Sequence, residues 1–270
     1  MFDNICKFLA ENFSTDFATW LLGEPISLTE LSPSELSLEP IRADALILLE
    51  SAELVLHLEF QTQPDANIPF RMIDYRLRVY RRFPQKQMRQ VVIYLKETSS
   101  ELVQQNTFTI PGTRHEFEVV RLWEQPTEVF LRYPGLFPFA VLGETDDRAT
   151  TLQQVAQEII GIPDQRLQNN VAAATAILAG LVLEKGLIQR VLRRDNMRES
   201  VIYQEIEAEA QAKGKAIGIA EGKAEGKAEG IRLVAVNLLK SQMSLAQVVR
   251  VTGLSLEEAE LLQKEIEGEL

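Results

Sequence analysis

The stretch RADALILLESAELVLHLEFQTQ, residues 42–63, decides how the rest of the chain is read. Two runs rich in Leu, Ile and Val flank a short turn at Ser51 and Ala52, the pattern of a β-hairpin. A loop centred there places Glu50 opposite Glu53, Leu48 opposite Val55, Leu46 opposite His57 and Asp44 opposite Glu59. Side chains alternate along a strand, so one face collects Ala43, Ala45, Ile47, Leu49, Leu54, Leu56, Leu58 and Phe60 and is wholly apolar. The other face carries Arg42, Asp44, Leu46, Leu48, Val55, His57, Glu59 and Gln61. It is apolar near the turn and polar at the open end, where a site belongs.

Two carboxylates directly across a ladder, with β-carbons about 5 Å apart, repel one another. A divalent cation would remove that penalty. Hard cations such as Mg²⁺ take a few carboxylate oxygens together with water and phosphate oxygens, so Asp44 and Glu59 read as a ligand pair. The same acids read equally as solvated strand residues.

Outward from the hairpin, Phe2, Ile5, Leu9, Phe13, Phe17, Trp20 and Leu21 follow a helical period. One helix is therefore expected from residue 2 to about 22, stopped by Gly23 and Pro25. A weak strand is expected at 35–41, a helix at 69–83 between Pro69 and Pro84, and a strand at 90–95. Pro111-Gly112 separates strand signals at 107–110 and 116–123, a hairpin expected to extend the sheet. Helices are expected at 148–160 and 165–194. Helix, strands, helix and strand in this order predict a compact α/β domain.

Residues 71–89 hold seven Arg or Lys and one acid, Asp74, in a chain whose formal charge is −11. On a helix Arg71, Arg78 and Arg82 share a face with Tyr75 beside them, and Ile73, Leu77 and Tyr80 lie opposite. Those arginines read either as phosphate contacts beside the site or as a solvated basic face paired with acids elsewhere. The acidic total excludes a protein that coats nucleic acid by bulk charge, so any DNA contact must be local.

Gly214, Gly218, Gly222, Gly226 and Gly230 recur every four residues, and AEGKAEGKAEG is of low complexity. Interior glycine costs roughly 1 kcal/mol against alanine in a helix, so this segment reads as a soft or partnered helix or a connector. Helical segments at 231–240, 245–251 and 256–266 follow, with Thr252-Gly253 and Ser255 as stop and cap. Without a basic cluster they read as a simple helical unit more readily than as a DNA-reading helix-turn-helix.

Composition, 46% hydrophobic and 25% charged over 270 residues, is that of a globular protein. The apolar run 171–183 falls short of a membrane crossing and is expected as a buried helix. The N-terminus lacks the features of an export signal, so a cytoplasmic location is expected. The single cysteine, Cys6, excludes an internal disulfide and a Cys-rich zinc site.

Asp44, a hairpin and Glu59-Phe60-Gln61, in this order of elements, resemble the PD-(D/E)XK nuclease core with its lysine replaced by glutamine. More narrowly, the chain is similar to the recombination-promoting nuclease (Rpn) and putative transposase group. FDNICKFL with Asp3 and Lys7, the EFQTQ strand, the RMIDYRLRVYRR helix and the glycine-punctuated tail carry that likeness. The resemblance implies Mg²⁺-dependent cleavage of DNA, with Asp44, Glu59 and Gln61 catalytic and Asp44 and Glu59 holding the metal. It also implies phosphate contacts from Arg71, Arg78 and Arg82. The alternative is a nuclease-fold protein of little or no turnover that binds DNA or assembles. The expected organisation is a nuclease-like domain at 1–125, a helical extension at 126–204 and a tail at 205–270 suited to homo-oligomer formation. No membrane partner is expected.

Overall fold

The computed structural model describes residues 2–31, 46–192 and 201–268. Asp44 and the strand expected at 35–41 lie outside the described residues. The chain forms two compact units, Met1–Ile206 and Glu207–Leu270.

The first unit is α/β. Its sheet has the order β1 (Thr29–Glu30), β2 (Leu46–Glu50), β3 (Leu54–Gln61), β4 (Gln87–Tyr94) and β7 (Glu118–Arg121). The pairs β1–β2 and β2–β3 are antiparallel, whereas β3–β4 and β4–β7 are parallel. Parallel neighbours cannot be joined by a tight turn, and α3 (Ile68–Arg82) supplies the crossover between β3 and β4.

Both faces of the sheet are covered. Ile47, Leu49, Leu56, Leu58, Phe60, Val91 and Ile93 point into the main core. They meet α1 (Phe2–Asn12), α2 (Ser14–Leu22), α6 (Arg148–Ile160) and α7 (Gln165–Ala179) there. The short α5 (Phe137–Ala140) seals the centre: Phe139 stacks on Phe60 at 5.8 Å and meets Phe17 edge-on at 5.9 Å. Such ring pairs contribute about 0.5–1.5 kcal/mol each beyond the area they bury. On the opposite face α3 packs by Ile68, Met72, Tyr75 and Val79, spaced as one helical stripe, over Leu48, Val55, Val92 and Tyr94.

The hairpin keeps the two faces read from alternation but not the expected register. Glu59 lies opposite Leu46, Leu48 opposite His57 and Glu50 opposite Val55. The expected pairing of Asp44 with Glu59 is therefore corrected. The turn sits at Ala52 and Glu53, closed by Ser51 N–H donating to Leu54 O at 2.8 Å. The Ser51 hydroxyl accepts from the backbone of Glu53 and Leu54, which favours this turn. The slip is even, so no side chain changes face.

Three further expectations change. The N-terminal helix is two helices broken at Phe13, whose φ of −126° leaves the helical region. Gly135 packs closely on this break: a Cβ there would lie 2.3 Å from Phe13 Cβ, and its N–H donates to Asp16 Oδ2 at 2.9 Å. Gly135→Ala should destabilise the domain by about 1–3 kcal/mol, as measured by urea unfolding, because neither backbone can yield without moving a packed helix. The hairpin β5 (Thr107–Ile110) and β6 (Thr113–Glu116) forms its own two-stranded sheet, and only β7 joins the main one. The long helix expected at 165–194 ends at Ala179, and α8 (Lys185–Val191) follows after a turn at Gly180.

Glu11 is half-buried beside Lys7 and Glu30, with Lys7 Nζ 3.4 Å from Glu11 and 3.2 Å from Glu30. Burial raises its carboxyl above the ordinary value, Lys7 opposes and Glu30 adds to the rise. A raised folded-state value means stability is fully present below the unfolded value and is lost as pH rises through the folded one. Glu11→Gln should therefore raise the melting temperature near neutral pH and lose that advantage at about pH 4.

In the second unit, the C-terminal part of α9 (Val201–Lys240) packs with α10 (Leu245–Thr252) and α11 (Leu256–Glu267) around Ala235, Val248 and Leu262. Gly253, with φ of 75°, ends α10, and Ser255 with Glu258 forms a capping box on α11. Cβ atoms added at Gly218, Gly222, Gly226 or Gly230 would meet nothing within 4 Å. No contact within the described residues requires those glycines. No helix among the described residues is long and apolar enough to cross a membrane.

Candidate active site

Alternation along β3 sends His57, Glu59 and Gln61 to the face covered by α3. His57 and Glu59 are both 0% exposed. A carboxylate taken wholly out of water needs a cation or several donors. Arg71, one turn into α3, provides the cation: its Nη2 lies 2.5 Å from Glu59 Oε1. Gln61 Nε2 donates to the same oxygen at 2.7 Å. Arg71 also approaches Asp65 Oδ2 at 3.7 Å, in the loop before α3, where Asp65 accepts from Asn67. Glu59 Oε2 has no hydrogen-bond partner among the described residues and lies 3.8 Å from His57 Nε2.

Two tyrosines flank the cluster. Burial pushes the Tyr75 phenol above its ordinary value, with Arg71 pulling it down and Glu59 adding to the rise. Burial raises Tyr94 as well, reinforced by Asp65 and Glu59. Both phenols stay protonated at neutral pH and are donors, not bases.

The predicted residues fare differently. Glu59 and Gln61 are joined directly, and Arg71 reaches them from α3. Asp44 lies outside the described residues. Arg78 is engaged with Asp74 at 2.9 Å, an i,i+4 pair that the sequence spacing already contained. Arg82 is exposed, its guanidinium 5.8 Å from the Phe83 ring centre. Lys86 pairs with Glu50, Arg89 with Glu118, and Arg76 donates to Met88 O at 2.7 Å. Arg81 and Arg82 are thus the cations of 71–89 left exposed without a carboxylate partner among the described residues.

The sequence alone assigns no role to His57 or to Gln90. The available signal was a histidine and a glutamine inside the apolar runs LVLHLEF and RQVVIYL, where a buried polar residue needs a partner.

Chemically, the cluster offers one buried carboxylate with a free oxygen, an amide beside it and a guanidinium that can reach outward. Among the described residues no group of three His, Cys, Asp or Glu gathers to hold a metal. Glu59 suits a hard cation in donor type, and such an ion takes its remaining oxygens from another carboxylate, water and phosphate. The chain matches no protein-family model, no curated protein and no solved structure.

Proposed function

We propose that this protein is a divalent-metal-dependent DNA endonuclease with a PD-(D/E)XK core. The observation that carries the reading is the buried Glu59 with the half-buried Gln61 two residues on, both on the α3 face of the strand where antiparallel pairing gives way to parallel. The order of elements that follows, a crossover helix and a parallel strand, agrees with the core the sequence resembles.

In this proposal Glu59 and Asp44 would hold Mg²⁺, which would supply Lewis-acid polarisation of the phosphodiester and a more acidic water. The protein's own groups do the rest. Gln61 spends its N–H₂ on Glu59, leaving Oε1 to accept a hydrogen bond from the attacking water and orient it. Arg71 leaves Glu59 for a phosphate oxygen, for which its planar fork is well suited. Arg82, with Arg81 beside it, holds the DNA backbone further along α3. Arg78 joins them once Asp74 releases it. A role in recombination or mobile-element biology, self-association through the helical C-terminal region and a cytoplasmic location belong to the same proposal.

The second reading is a nuclease-fold protein that binds DNA or assembles with little turnover. It is favoured by the ion pair itself, because Arg71 already neutralises the carboxylate that a metal would need. Nicking of supercoiled plasmid with and without Mg²⁺, beside a DNA-binding titration, separates the two. Metal-dependent nicks support the endonuclease. Binding without nicks transfers the conclusion to the second reading.

A further inference from the structure

His57 and Gln90 stand side by side on the parallel pair β3–β4, under α3, and the reading above uses neither. His57 is fully buried, so each ring nitrogen must be accounted for. Gln90 Nε2 donates to Met72 O at 2.8 Å and lies 3.0 Å from His57 Nδ1. A carbonyl oxygen only accepts, so the Gln90 atom between them is the amide nitrogen. Its second hydrogen then points at Nδ1. Nδ1 is an acceptor, and in the neutral ring the proton resides on Nε2. The Tyr75 ring, edge-on with its centre 5.2 Å from the imidazole centre, holds the ring plane.

That Nε2–H faces Glu59 Oε2 across 3.8 Å, and neither atom has a hydrogen-bond partner. The other carboxylate oxygen carries both Arg71 and Gln61. A movement of about 1 Å would close the gap to hydrogen-bond length. Among the described residues Arg71 is the one permanent charge in contact with Glu59; it reaches it from the edge of the site, 29% exposed, whereas His57 is enclosed.

Resting on the assignment of Glu59 as the catalytic carboxylate, we propose that His57 is a positioning residue. Held by Gln90 as the Nε2–H tautomer, it donates to Glu59 Oε2 when Arg71 turns to a substrate phosphate. The buried carboxylate then keeps a donor on its second oxygen and stays aimed although Arg71 has turned away.

The chain has two histidines, so His115→Gln leaves His57 as the single imidazole for long-range ¹H–¹⁵N correlation spectra. Near neutral pH the proton is expected on Nε2, with Gln90→Leu relaxing this to a tautomer mixture. A proton on Nδ1, or a doubly protonated ring, overturns the proposal whatever a cleavage assay gives. In metal-dependent nicking, His57→Phe keeps the ring packing and removes the donor. It should lower kcat about 10- to 100-fold with KM for DNA unchanged. His57→Gln, which keeps a donor near the Nε2 position, should recover most of that loss. Equal loss in both variants, or none in either, overturns the positioning role. Where the wild type itself cuts no DNA, the endonuclease reading fails and Arg71→Ala decides the inference alone. Its Nε2 proton should move downfield as the bond to Oε2 forms, and an unmoved signal rejects the proposal.

Discussion

Replacing Arg71 by alanine is expected to destabilise the first unit by about 3–5 kcal/mol, the usual cost of leaving one member of a buried ion pair behind. Glu59 has no solvent exposure, and its remaining donor, Gln61, is neutral. Chemical denaturation measures the loss directly. Glu59→Gln in the Arg71→Ala background should recover much of it, because a neutral amide in that place needs no cation. The double-mutant cycle therefore gives a coupling well beyond the few tenths of a kcal/mol seen between independent sites. A cycle that closes additively would mean the pair contributes nothing as a pair. This experiment concerns the fold alone and holds under either functional reading. It also guards the DNA experiments, since an Arg71 variant that binds poorly could be unfolded instead of deprived of a phosphate contact.

The second large effect follows from the proposed endonuclease activity. Glu59→Ala should reduce Mg²⁺-dependent plasmid nicking by at least about a hundredfold, since residues that only hydrogen-bond a metal ligand already cost 10- to 100-fold when removed. Its structural cost is expected to be smaller than that of Arg71→Ala. The charge left behind belongs to Arg71, which is partly exposed and can turn to Asp65 or to water. A folded Glu59→Ala variant that retains wild-type nicking would remove Glu59 from the proposed metal site. Asp44→Ala, tested beside it, asks whether the second proposed ligand shares the same role.

The two arginine effects separate further by salt. A phosphate contact made by Arg82 contributes to the slope of affinity against salt concentration, because each neutralised phosphate releases bound counterions. The Arg71–Glu59 contact is buried and is screened much less. The basic cluster in 71–89 was visible in composition. The carboxylates that engage three of its seven cations were not, because Glu50, Glu59 and Glu118 come from three strands that only the folded sheet brings near α3.

Other differences between expectation and structure have the same origin. The break at Phe13 sits against Gly135, 122 residues away in sequence, and the helical period of the N-terminus runs through it without a mark. The hairpin at Pro111-Gly112 was legible as a hairpin, whereas its separation from the main sheet was not. Local turn chemistry makes a hairpin, but the pairing edge it uses is a tertiary choice. The chemistry of the site divides likewise. Glu59 and Gln61 were readable because a strand alternates, but the role of His57 required Gln90 and the Met72 carbonyl to be in place around it.

What the sequence determined by itself is the α/β class and the two faces of the central hairpin, with Glu59 and Gln61 together on one of them; that α3 covers this face is a tertiary outcome. A period of two survives any even slip, so these assignments did not depend on the turn. Tertiary structure decided the register, which set Leu46 and not Asp44 opposite Glu59, and the choice of Arg71 as its partner. Those outcomes rest on one turn geometry and on burial that removes a carboxylate from water, and neither is written in the order of residues along a strand.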